Sequence, residues 1–168
     1  MAIFSATYEN FNDLLSHQLW DTSDALHRMG DAFGKMADKA GDPELAGKLT
    51  QLQANCDQHR ASLTSVFEAT DVKEDRQTCQ ATKGLVAEAS DTIGASGDAD
   101  VIDAVLIANA QRMAHYLIAT FGTVRNFARR AGHASAADTL QGLLDAWYTA
   151  DRDLTDLAES GLNAEAVS

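Results

Sequence analysis

Three groups of side chains have the types and spacings to do chemistry. His59 follows Asp57 by two residues and Cys56 by three. Joined by His115 and Asp151 from elsewhere in the chain, His59 and Asp57 would offer two imidazoles and two carboxylates to iron or manganese. The competing reading is a core imidazole, favoured because His59 falls in an apolar helical seam. His17, Asp21 and Asp24 share one helical face at i, i+4 and i+7, with His27 three residues beyond Asp24. They read either as a surface divalent-cation site or, more commonly for such a pattern, as a solvated polar face. Arg125, Arg129, Arg130 and His133 gather near a helix end, where cations favour the negative end of the helix dipole. Capping or intersubunit ion pairs are expected there before any anion site. The chain has no P-loop, no Gly-rich nucleotide fingerprint, no Cys-x-x-Cys and no Gly-x-Ser-x-Gly elbow.

Composition narrows the classes. The 168 residues suit one domain, 1–168, with a substantial core. A formal net charge of −12 disfavours nucleic-acid binding and docking on anionic membranes, both of which need a basic footprint. Two cysteines, Cys56 and Cys79, fit a reducing compartment better than a disulfide framework. The start MAIFSATYENF lacks the basic end and apolar run of a secretory signal, and no apolar stretch is long enough to span a bilayer. The expectation is a cytoplasmic protein with neither nucleic-acid nor membrane partners.

The elements that position these residues follow from periodicity. Leu15, Leu19, Thr22, Leu26, Met29, Phe33 and Met36 step by four and three, the seam of a helix packed lengthwise in a bundle. Gly41 ends it, and Asp42 with Pro43 starts the next as N-cap and first helical residue. Leu45, Leu49, Leu52, Cys56, His59, Leu63 and Val66 repeat the rhythm, as do Leu106, Ala110, Met113, Leu117, Thr120, Val124 and Phe127, and then Ala136, Leu140, Leu143, Trp147, Ala150, Leu154 and Leu157. The prediction is all-α: long helices at about 7–40, 43–69, 100–131 and 134–160, and a short helix at about 78–89 in the crossover. Two antiparallel hairpins joined by a long connection make a ferritin-like four-helix bundle. Trp20 and Tyr148 fall outside the seams and are candidates for a homodimer contact.

Several stretches resemble the YciE/YciF family of bacterial stress proteins: DLLSHQLWD (13–21), DPEL (42–45), TCQATKGLVAEA (78–89), DAVLIANAQRMAHY (103–116), GTVRNFARRAGHASAADTL (122–140) and TADRDLTDLAE (149–159). The resemblance implies a ferritin-like bundle housing two metal ions, iron above all, gripped by carboxylates from every long helix and the crossing helix. This chain departs from that pattern. Leu26 and Asn55 stand where the family carries glutamates on the first two helices, and Lys83 replaces the glutamate of the crossing helix. A family Glu-His-Tyr-Glu reads here Ala114, His115, Tyr116, Leu117, and adjacent acids on the last helix are Ala146 and Trp147. A check free of alignment agrees. The seven glutamates are Glu9, Glu44, Glu68, Glu74, Glu88, Glu159 and Glu165, and none has a histidine three or four residues on. The Glu-x-x-His pairs of a di-iron bundle cannot be built.

The leading expectation is therefore a metal-free, cofactor-free and non-catalytic bundle with a structural, interaction or stress-associated role, associating with itself or with related ferritin-like proteins. Leu26, Asn55, His59, Lys83, Ala114, Leu117, Ala146 and Trp147 would line the vacated site. Two alternatives stand. One is a di-metal oxidase or peroxide-handling protein with His59, His115, Asp57 and Asp151 as reassigned ligands. The other is a small-molecule site beside Lys83, in room left by Ala114 and Ala146.

Overall fold

The computed structural model describes residues 7–75 and 77–159. Five helices follow in order: α1 (Phe11–Lys39), α2 (Pro43–Thr70), α3 (Gln80–Gly94), α4 (Ala99–Arg130) and α5 (Ala134–Leu157). α1 packs on α2 and α4 on α5, while α1 also meets α4 and α2 meets α5. His133, opening α5, touches Asn12 at the start of α1, and Asp103 in α4 reaches the α1–α2 turn. Neighbouring long helices are thus antiparallel. α3 lies over the groove between α1 and α4.

Local chemistry sets the ends. α1 begins at Phe11 rather than near residue 7 because the Asn10 side chain accepts from the Asn12 and Asp13 amides while Asp13 accepts from the Asn10 amide. Asp42 caps α2 ahead of Pro43, as its sequence implies. α4 stops at Gly132, whose φ of +89° is a left-handed conformation that favours glycine. α3 runs on to Gly94 instead of ending near Ala89, since Leu85, Val86 and Ile93 keep packing against the core. α5 ends at Leu157; residue 160, the end expected from periodicity, lies outside the described residues.

The seams of α1 and α2 are buried at every named position. In α4 the last position, Phe127, is half-buried. In α5 Leu144, four residues after Leu140 and three before Trp147, takes the buried place expected of Leu143, and the other named positions are buried. No helix among the described residues is long and apolar enough to cross a membrane.

Candidate functional site

The centre of the bundle, where the four long helices face one another, is built from side chains of the seams. Leu26 from α1, Ala114 and Leu117 from α4 and Trp147 from α5 are all completely buried, and His59 from α2 is 5% exposed. The Trp147 indole stacks on Phe33 at 6.3 Å, and His59 meets Trp147 and Phe121 edge to face at 5.6 and 6.0 Å. Such pairs are favourable beyond their buried area. Burial alone pulls the His59 imidazole down to about 4, so it is neutral at physiological pH. His59 Nδ1 and Trp147 Nε1 are buried without a hydrogen-bond partner.

Three of the eight positions lie elsewhere. Asn55 and Ala146 border an open groove between α2 and α5, and Lys83 is exposed on α3. Each sits beside a buried neighbour, Cys56, Trp147 and Thr82 respectively. The four alternative ligands are likewise divided. His59 is in the core and Asp57 is exposed on α2. His115 Nε2 and Asp151 Oδ1 meet at 2.8 Å on the α4–α5 surface, with the His115 side chain 65% exposed. The centre therefore presents one imidazole among hydrocarbon and aromatic surfaces. A pair of hard cations bridged by carboxylates does not fit that donor set.

Several of the remaining polar candidates hold elements together. Asp24 receives Arg28 Nε at 2.7 Å and the Cys79 amide at 2.9 Å, tying α1 to the start of α3. His17 and Asp21 stand 3.8 Å apart; burial raises the Asp21 carboxyl above its ordinary value, and His17 opposes that rise. His27 is exposed. Arg125 donates to Gln141 at 2.6 Å, Arg130 lies 5.0 Å over the Phe11 ring, and His133 contacts Asn12 at 3.0 Å. Trp20 is half-buried against the core, its indole N–H donating to Lys73 O at 2.8 Å, whereas Tyr148 is 46% exposed.

Two polar arrangements had no motif to announce them. Asp103, 1% exposed on α4, accepts from the Gly41 and Asp42 amides at 2.9 and 2.7 Å and so clamps the α1–α2 turn. Cys79 Sγ accepts from Thr82 at 3.1 Å and contacts Tyr116 Oη at 2.9 Å, where burial and the sulfur push the tyrosine up to about 12. Cys56, by contrast, sits among apolar side chains, and burial raises its thiol.

A chain of this fold has known counterparts. The family described as Domain of unknown function (DUF892) matches residues 10–167. The chain belongs to this family. It is 31% identical over 159 residues to Protein YciF of Escherichia coli (strain K12), covering 94% of this chain and 96% of that one. The crystal structure of the E. coli stress protein YciF superposes with a TM-score of 0.89 at 30% identity, over 93% of this chain and 99% of the other. YcfI, a putative structural protein from Rhodopseudomonas palustris, superposes with a TM-score of 0.84 at 30% identity, over 92% and 98%. This DUF892 chain is a ferritin-like, YciF-type helical bundle.

Proposed function

We propose that this chain is a metal-free, non-catalytic member of DUF892 that acts as a structural or stress-associated protein through its surface. The observation that carries the reading is the completely buried trio Leu26, Leu117 and Trp147 at positions where the family resemblance implies carboxylates. Facing carboxylates without a metal repel one another and are costly to bury. Leucine in place of a carboxylate removes that repulsion and adds roughly 1.5–3 kcal/mol of burial at each site. The relatives described as a stress protein and as a putative structural protein are compatible with such a role. Association with a second copy or with related bundles belongs to the same proposal, and Tyr148, Val101 and Val105 are exposed apolar side chains available for it.

The test is metal content after expression in medium supplemented with iron and manganese. The expected stoichiometry is far below one ion per chain, and iron, manganese and zinc are expected to leave the melting temperature unchanged. Binding confined to the native state would raise it. About two tightly held ions per chain would overturn the proposal.

A further inference from the structure

The bundle has two lateral grooves of similar construction, one between α1 and α4 and one between α2 and α5. α3 fills the first. In the second lies a cavity of about 260 Å³. Leu52, Ala146, Ala150 and Leu154 give it an apolar floor, and the two alanines, one helical turn apart, provide the room. At its mouth the banks carry opposite charges. Lys48 Nζ on α2 meets Asp153 Oδ2 on α5 at 2.8 Å, and the two side chains are 38% and 43% exposed. A solvated ion pair of this kind contributes little stability, so its partners are readily exchanged.

We propose that the α2–α5 groove binds a small zwitterion with an apolar side chain, of the amino-acid class. The ammonium pairs with Asp153, the carboxylate pairs with Lys48, and the side chain lies on the alanine floor. Charge selects this class. A ligand bearing both signs turns one ion pair into two and leaves the net charge unchanged. A simple anion must approach a chain of net charge −12, and a simple cation leaves Lys48 without its partner. Size agrees, because the cavity is below the roughly 300–1,000 Å³ of sites for drug-sized molecules. The proposal is independent of the metal-free reading, since the groove lies to the side of the bundle centre.

The experiment titrates the whole protein with L-leucine and L-phenylalanine, followed by calorimetry and by amide chemical shifts in α2 and α5. Saturable binding of at least one is expected, weakened about tenfold or more by Lys48→Met or Asp153→Asn. Ala146→Phe, which fills the groove, is expected to abolish it at an unchanged far-UV spectrum. 2-Phenylethylamine and 3-phenylpropionate, each with one charge and the same ring, are expected to bind at least about tenfold more weakly than L-phenylalanine. No saturable binding of either amino acid up to about 10 mM overturns the proposal, as does equal binding of a single-charge analogue. Should Ala146→Phe fail to fold, the two charge variants and the analogues still decide.

Discussion

His59 shows what a single residue records about this site. Its ring is enclosed by aromatic side chains and its Nδ1 has no partner, so the protonated form is excluded from the native core. An unfolded imidazole titrates at 6.5, whereas this one titrates at about 4. Between those values the unfolded chain takes up a proton that the native chain refuses. Stability therefore falls as pH drops below about 6.5, and this contribution is fully lost near pH 4, about 3 kcal/mol in all. Urea midpoints of the wild type, minus those of His59→Leu, should trace that slope; parallel curves would show the imidazole to be solvated. Asp103 makes the complementary prediction. Its carboxylate satisfies two backbone amides at the α1–α2 turn, and Asp103→Asn sets an amide N–H against one of them. A loss of about 1–3 kcal/mol is expected from chemical denaturation.

For whole elements, the seams were legible in the sequence and the rotation of each helix beside its seam was only partly so. A step of four and three fixes which residues face inward, and the named residues of α1 and α2 are all buried. One residue off the seam turns a side chain by about 100°. That turn separates Asn55 from Cys56, Ala146 from Trp147 and Lys83 from Thr82, which is why those three positions lie away from the buried centre. Asp103 and the Cys79–Tyr116 contact were illegible for another reason: their partners are distant in sequence and follow no periodic rule. Helix starts obey local chemistry, so they are testable locally. Asn10→Ala removes the side-chain cap and the return bond's partner geometry at α1, and should cost about 1 kcal/mol. Hydrogen exchange confined to the first turns of α1 would locate the loss.

At the level of the molecule, connectivity and charge act together. α3 covers the α1–α4 groove and leaves the α2–α5 groove open, so the two sides of one bundle differ in what they can meet. The net charge of −12 on 168 residues adds self-repulsion to the folded state. Salt screens it over roughly 10 Å at 0.1 M. Raising ionic strength from about 10 to 150 mM should increase the melting temperature. A decrease would mean that the ion pairs Lys48–Asp153 and Arg28–Asp24 outweigh the repulsion.

The stacked indole at the centre has a spectroscopic consequence. The chain has two tryptophans. Trp147 is completely buried against the Phe33 ring and the neutral His59 imidazole, while Trp20 is half-buried with its N–H tied to a carbonyl. Their emission should separate into a blue band from the first and a redder band from the second. In Trp20→Phe the blue band alone remains, and its shift to the red follows the entry of solvent into the heart of the bundle.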